Sequence, residues 1–183
     1  RSFGLNYSVT VLEGVTGSGK TLVYFNRIKD IINSGSQALI LLPEIALTNQ
    51  FGIRFKSFFG SEPAVWHSGA TKKNKSIIWK GVTEGKIKIV IGARSALFLP
   101  FKNLGIIIVD EEHDVSYKQD EGISYNARDM AITRASIENI PINLVTSIPS
   151  VETYSNILDK KYHVTKLKKR YKDAPLAKIE IIN

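Results

Sequence analysis

Eight residues constrain this chain more than any others: Gly14-Val-Thr-Gly-Ser-Gly-Lys-Thr21. They fit the pattern G-x-x-x-x-G-K-[ST] of a phosphate-binding loop without a mismatch. The loop lies between an apolar run, Tyr7 to Leu12, and a helix-like run, Thr21 to Ile32. Gly14, Gly17 and Gly19 free the backbone to turn successive N–H groups inward around an anion. Val15, Thr16 and Ser18 complete that cradle. The helix that starts here aims its partly positive N-terminus at the same point. Lys20 is suited to the β and γ phosphates, and the Thr21 hydroxyl to Mg²⁺. The competing reading is a glycine-rich turn that binds nothing; Lys-Thr in a strand-to-helix setting argues against it. A strand must end and a helix begin within these eight residues, which points to an α/β fold.

The rest of the chain repeats that alternation. Strands are predicted at Val9–Leu12, Ala38–Leu42, Ala64–Trp66, Ile87–Ile91, Ile106–Asp110 and Asn143–Thr146. Helices are predicted at Thr21–Ile32, Ile45–Phe58, Lys72–Thr83, Ala127–Glu138 and Val151–Leu158. Short β-branched runs between longer amphipathic ones imply βαβ units and a mainly parallel sheet with helices on both faces. Gly105-Ile-Ile-Ile-Val109 reads as a strand buried on both sides. The segment Lys160 to Lys172 is crowded with Lys and Arg, and Pro175 breaks it, so it reads as a domain edge and the start of a linker. Backbone tracking of DNA is the other reading of that basic run.

The bulk properties set wider limits. A chain of 183 residues makes one domain, or one with an appendage, and 43% hydrophobic content is enough for a real core. A net charge of +8 and a pI near 9.6 suit a polyanionic partner. The absence of cysteine excludes disulfides and Cys-ligated zinc, and is in keeping with a reducing, cytoplasmic setting. The apolar runs are far too short to span a bilayer. The chain opens at Arg1, almost on its first strand, which gives the expectation of a piece of something longer.

A second motif stands at the end of the most apolar run: Asp110-Glu111-Glu112-His113. Asp110 can hold Mg²⁺ directly or through water. Glu111 can orient and deprotonate an attacking water. With Lys20, these are the candidate catalytic residues. A solvated acidic turn is the alternative, and its place after Ile-Ile-Ile-Val in a βα chain argues against it. The two motifs together imply hydrolysis of a nucleoside triphosphate, with ATP and Mg²⁺ as cofactors.

At this point the chain resembles a known family. Gly14–Thr21 and Asp110–His113 look like motifs I and II of superfamily 2 helicases of the DEAH-like kind. Further strings are similar to the primosomal replication-restart helicases of bacteria: Leu42-Pro-Glu-Ile-Ala-Leu-Thr48, His67-Ser-Gly69, Ile91-Gly-Ala-Arg-Ser-Ala-Leu-Phe98, Pro100-Phe-Lys-Asn-Leu-Gly105 and Asp110-Glu-Glu-His-Asp-Val-Ser-Tyr-Lys-Gln119. The resemblance runs from about Val9 to Tyr171. It implies that residues 1–171 form the first of two RecA-like lobes, and that 172–183 begin a linker to a second. It further implies a 3′ to 5′ DNA helicase of replication restart in the bacterial cytoplasm and nucleoid. Its partners would be forked or single-stranded DNA, primosome components and single-strand-binding proteins.

The resemblance also implies roles. Pro43–Thr48 matches motif Ia, so Glu44 and Thr48 are expected at DNA. Gly92-Ala93-Arg94-Ser95 matches motif Ib, where Arg94 and Ser95 suit a phosphate; Ala93 stands where the family usually has threonine. A polar strand-to-helix cap is the alternative for both. Tyr117, Lys118 and Tyr125, with Arg128 beyond, fall in an aromatic-rich loop that grips a single strand in the family. Ordinary packing is the alternative for the two tyrosines. Ile123-Ser-Tyr-Asn126 replaces a bulkier or more basic run. Motif III reads Thr146-Ser-Ile-Pro149 instead of Ser-Ala-Thr-Pro, so one hydroxyl is lost at Ile148. Thr146 and His113 are the candidates for coupling ATP state to DNA grip.

The family closes its ATP site with arginines from the second lobe, which are worth roughly 10³–10⁵ in rate in related phosphoryl transfers. Its N-terminal DNA-binding domain and Cys-rich zinc insertion have no counterpart in these residues. Alone, this chain is therefore expected to bind nucleotide weakly and hydrolyse almost none. A nucleotide-gated nucleic-acid clamp without unwinding is the alternative function. A P-loop kinase is disfavoured by Asp110–His113.

Overall fold

In the computed structural model of this chain, residues 6–120, 122 and 124–168 are described. Nine strands and five α-helices lie among them. The strands are β1 (Ser8–Gly14), β2 (Gln37–Leu41), β3 (Ala64–Trp66), β4 (Ile89–Gly92), β5 (Leu104–Asp110), β6 (Lys118–Gln119), β7 (Tyr125–Asn126), β8 (Pro141–Thr146) and β9 (His163–Leu167). The helices are α1 (Lys20–Asn33), α2 (Asn49–Phe59), α3 (Lys72–Thr83), α4 (Ala127–Ile137) and α5 (Val151–Leu158). Seven strands form one sheet in the order β3-β4-β2-β5-β8-β1-β9, and every pairing in it is parallel.

Period-two alternation in the central strands divides the core. Val9, Val11, Leu39, Leu41, Ile107, Val109, Ile142 and Leu144 face one side, under α3 and α4. Ala38, Ile40, Ile106, Ile108 and Val145 face the other, under Tyr24, Phe25, Ile28 and Ile31 of α1 and Phe55 of α2. Both faces are covered, as the continuous apolar runs require. Phe25 carries an aromatic cluster with Phe51, Phe55, Phe58 and Phe59, all at centroid distances of 5.1–5.8 Å. Gly105 sits where a Cβ would come within 2.6 Å of the Ser36 Cβ and 2.8 Å of Ile31, so the sheet meets the end of α1 closely. Among the described residues, no helix is long and apolar enough to cross a membrane.

Three expectations change. Helix α2 begins at Asn49, not Ile45, because Thr48 is extended and caps it: its hydroxyl accepts from the Phe51 N–H at 3.4 Å. Glu44–Ala46 form a separate 3₁₀ turn after Pro43. The basic segment is not simply an edge leading to a linker, since His163–Leu167 add β9 to the sheet beside β1. A lysine such as Lys166 suits an outermost strand, where charge discourages pairing with another chain. Lys166 is ion-paired to Glu13 at 3.0 Å, and Leu167 packs against the core. Residues 169–183, with the remainder of the basic run and the proposed linker, lie outside the described residues.

Candidate nucleotide site and its couplings

The carboxyl ends of β1, β8 and β5 lie side by side, and ligands of open parallel sheets bind at such ends. β1 delivers the glycine-rich loop. Gly17 and Gly19 take φ values of +80° and +88°, open only at a cost to other residues. Gly14 is needed for a different reason. A Cβ there would come within 2.5 Å of the Ser18 Oγ and 3.0 Å of the Leu167 Cβ. The Lys20 ammonium is buried and donates to the Gly14 carbonyl at 2.6 Å and to that of Val15 at 3.4 Å. The Ser18 hydroxyl is buried and has no hydrogen-bond partner among the described residues. A helix N-terminus, a lysine and an unused buried hydroxyl around one turn fit a bound phosphate chain.

Asp110 closes the far side. Its Oδ2 accepts from the Tyr24 hydroxyl at 2.9 Å, and its Oδ1 from the Glu111 N–H at 3.0 Å. Burial at the cleft floor dominates and pushes its pKa up to about 6, against the pull of the Tyr24 bond. The same burial, with the Asp110 charge, raises the Tyr24 phenol well above its ordinary value. Divalent magnesium next to the carboxylate reverses this penalty, so Asp110 and the Thr21 hydroxyl fit a magnesium site. Glu111 has a left-handed backbone, φ +49°, which is uncommon outside glycine and recurs at functional sites. Thr16–Leu22, Asp110, Glu111 and Arg54 of α2 surround a cleft of about 510 Å³. Arg54 carried no signal in the sequence; only the packing of α2 over α1 brings it to the cleft.

Motif III enters from β8, between the other two strands. The Thr146 hydroxyl lies 2.8 Å from His113 Nδ1, donates to the Ile148 carbonyl at 2.6 Å and accepts from the Ile148 N–H at 3.2 Å. With its one hydrogen given to Ile148, Thr146 accepts from His113, which places a proton on Nδ1. The other ring nitrogen, Nε2, stands 3.7 Å from Glu111 Oε2. A contact chain thus runs from Glu111 through His113 to Thr146.

Glu112 belongs to a different assembly. It is buried and accepts from the Ser150 N–H at 2.8 Å, the Ser150 hydroxyl at 3.0 Å, the Thr153 hydroxyl at 2.9 Å and Arg128 at 3.3 Å. It ties the second motif to the start of α5. Arg128 is spent here too, since it also bonds Asp129 at 2.8 Å and the Ser150 hydroxyl at 2.6 Å. The expectation that Arg128 adds to a DNA-gripping loop is corrected: the guanidinium is buried and committed to Glu112, Asp129 and Ser150.

The expected DNA-facing residues fare unequally. Tyr117 is 1% exposed, and its hydroxyl is shared between the carbonyls of Leu41 at 3.0 Å and Asp110 at 2.6 Å. It has no ring face for a base, which corrects the stacking expectation, and it braces β2 against β5 instead. Tyr125 is half-buried, edge-on to Phe98 at 5.6 Å. Lys118 is exposed beside Asp120 at 3.1 Å. Arg94 donates to the Lys118 carbonyl at 2.7 Å, joining motif Ib to the small β6–β7 ribbon. Ser95 is exposed and accepts from the Trp66 indole at 3.2 Å. The Glu44 carboxylate accepts from Ser68 at 3.1 Å, and the Thr48 hydroxyl serves as the α2 cap.

Comparison with known proteins follows the same lines. The description of the DEAD/DEAH box helicases matches residues 5–147. The chain is 53% identical over 174 residues to the replication restart protein PriA of Rickettsia conorii, covering 95% of this chain and 27% of that protein. It is 41% identical over 177 residues to PriA of Bacillus subtilis, covering 97% and 22%. The chain therefore spans about a quarter of the length of the curated relatives it matches. Among solved structures, the Hef helicase domain of Pyrococcus furiosus superposes with a TM-score of 0.64 at 16% identity, covering 91% of this chain and 36% of that one. RecG bound to a three-way DNA junction gives 0.62 at 24%, covering 87% and 20%. These show the fold, an α/β P-loop domain of the RecA-like helicase type.

Proposed function

The chain belongs to the DEAD/DEAH box helicase family, and from that premise we propose that it is the ATP-binding lobe of a bacterial DNA helicase of replication restart, moving 3′ to 5′. One observation carries this reading: Lys20 and Thr21, after β1, and Asp110 and Glu111, at the end of β5, line one cleft of about 510 Å³, and Thr146 of the intervening β8 touches His113 behind it. The likeness to PriA proteins over most of the chain supports the restart assignment.

Each residue has a task. The loop 14–19 wraps the triphosphate with backbone N–H groups, and the Lys20 ammonium leaves the Gly14 carbonyl for phosphate oxygens. Thr21 and Asp110 would hold Mg²⁺, which would supply charge neutralisation at the phosphates. Glu111 takes the proton of the attacking water. His113 and Thr146 relay the state of Glu111 to the β8 loop. The DNA partners are forked or single-stranded, met by Arg94, Ser95, Lys118 and Tyr125. Primosome and single-strand-binding proteins are the protein partners, in the bacterial cytoplasm at the nucleoid.

The test is steady-state ATPase with and without single-stranded DNA. This chain alone should bind Mg-ATP weakly and turn it over slowly, because the rate-accelerating arginines come from a second lobe. Lys20→Ala should abolish binding, and Glu111→Gln should keep binding and lose the residual turnover. Rapid DNA-stimulated turnover by these residues alone would overturn the lobe reading. A nucleotide-gated clamp is the second reading, favoured by Ile148, which is 73% exposed and brings no hydroxyl to motif III. Failure of a two-lobed protein containing this chain to displace a strand from forked DNA would favour it.

A further inference from the structure

Both tryptophans of the chain, Trp66 and Trp79, lie together at the outer edge of the sheet, away from the nucleotide cleft. We propose that they form a stacking platform for single-stranded nucleic acid that extends the path of motif Ib across β3 and α3. The proposal rests on the reading of this chain as a DNA-binding lobe.

The platform is built, not incidental. Trp66 ends β3, and its indole N–H donates to the Ser95 hydroxyl of motif Ib at 3.2 Å. Its carbonyl accepts from the Ala93 N–H at 3.2 Å. Gly92 makes this seat possible, because a Cβ there would come within 2.5 Å of the Trp66 carbonyl oxygen and 3.2 Å of its Cβ. Trp79 of α3 lies 6.4 Å from Trp66 between centroids, inclined by 42°, and is 49% exposed. An indole left half in water on a helix with Ile78 and Val82 already buried is not needed for the core. The Lys75 ammonium stands 6.0 Å from the Trp66 centroid and donates to the Ser68 carbonyl at 2.9 Å, a cation placed over an aromatic face.

Charge selects the partner. Helix α3 holds Lys72, Lys73, Lys75 and Lys80 and no acidic residue. Lys72 and Lys73 stand in its first turn, where the helix dipole disfavours cations. An arriving phosphate turns that local penalty into attraction, since the dipole and both lysines then act on it together. Indole faces interleaved with cations are how sequence-tolerant single-strand sites are made. A duplex hides its base faces, so the platform selects unpaired bases.

Because no other tryptophan exists in the chain, its intrinsic fluorescence reports on this site directly. We expect single-stranded oligo-dT to quench the emission at the same concentrations that raise the anisotropy of labelled dT. In Trp66→Phe, where Trp79 is the sole emitter, quenching should persist. Trp79→Ala should weaken binding by about tenfold, the usual effect of losing one stacked base, and Trp79→Phe should restore most of it. Lys72→Glu with Lys73→Glu should flatten the slope of log affinity against log salt by roughly 0.7 for each phosphate that is no longer neutralised. Binding seen by anisotropy with unchanged emission and an unaffected Trp79→Ala would overturn the platform and leave the DNA-binding lobe intact. Quenching by duplex alone would likewise overturn it. No binding of any DNA would instead remove the DNA-binding reading on which the platform rests.

Discussion

Asp110 and Glu112 are two residues apart, and their environments set opposite tasks for them. Burial lifts the Asp110 pKa to about 6, above the ordinary 3.8. A carboxyl whose pKa is raised on folding contributes stability that is fully present below about pH 3.8 and is lost as pH rises through about 6. Asp110→Asn removes that charge. The variant should therefore melt higher than the parent at pH 8, by up to about 3 kcal/mol, at ~1.4 kcal/mol for each pH unit between the two values. The gap should close near pH 4. Melting curves at the two pH values check this, and an equal gap at both would clear Asp110. The same variant should lose Mg-ATP binding, so stability and function pull apart at this residue. Glu112 is the reverse case. Glu112→Ala strands a buried guanidinium at Arg128 and should cost about 3–5 kcal/mol in urea unfolding, whereas Glu112→Gln keeps several of the acceptor contacts and should cost less. A Glu112→Ala cost below ~1 kcal/mol would mean the network adds nothing. The sequence announced Asp110 and Glu111 because motif spacing carries their chemistry. It was silent on Glu112, since adjacent carboxylates look alike until partners 38 and 41 residues away are in place.

Elements were legible where their period was strong. The central strands and α1, α3, α4 and α5 lie close to where hydrophobic alternation places them, and α3 and α5 match it at both ends. The start of α2 was not, because Ile45 and Ala46 carry helical character that the extended Thr48 cap interrupts. β9 was hidden among lysines that in sequence resemble a solvated tail; in space most of them flank the strand, and Lys166 within it pairs with Glu13 of β1. Its position makes it part of the site. Leu167 pairs with Gly14 in register, and its Cβ is among the atoms that leave no room for a side chain there. Ending the chain after Tyr162 strips one edge from β1, the strand that holds the loop. We expect a fall in melting temperature of about 5 °C or more, from the forgone burial of Val164 and Leu167. We also expect weaker Mg-ATP binding and, with the β1 edge open, aggregation visible by light scattering. A shortened chain that melts and binds like the parent would show β9 to be an ornament.

Across the whole molecule, a wholly parallel sheet gathers distant residues along one edge and leaves them in separate elements. The proposed nucleotide cleft lies over β1 and β5, the residues proposed to meet DNA follow β4 and the β6–β7 ribbon, and β8 runs between β1 and β5. Coupling between the two sites then needs a contact that senses one and moves with the other. The Thr146–His113 contact is placed for that, since His113 also neighbours Glu111 and Thr146 holds the Ile148 loop. Linkage makes the claim measurable. If Mg-ATP changes DNA affinity by some factor, DNA must change Mg-ATP affinity by the same factor, typically about 5- to 150-fold in coupled proteins. His113→Ala should leave Mg-ATP affinity without DNA near the parent value and bring that factor towards one. Thr146→Val, which keeps the shape and removes the hydroxyl, should do the same. The double variant should be no worse than either, because both break the same hydrogen bond. Titrations of labelled DNA with and without a non-hydrolysable ATP analogue read the factor directly. If the factor survives both substitutions, or if their effects add, the coupling runs through some other path between the cleft and β4. If the factor falls only because Mg-ATP no longer binds, His113 belongs to the nucleotide site itself.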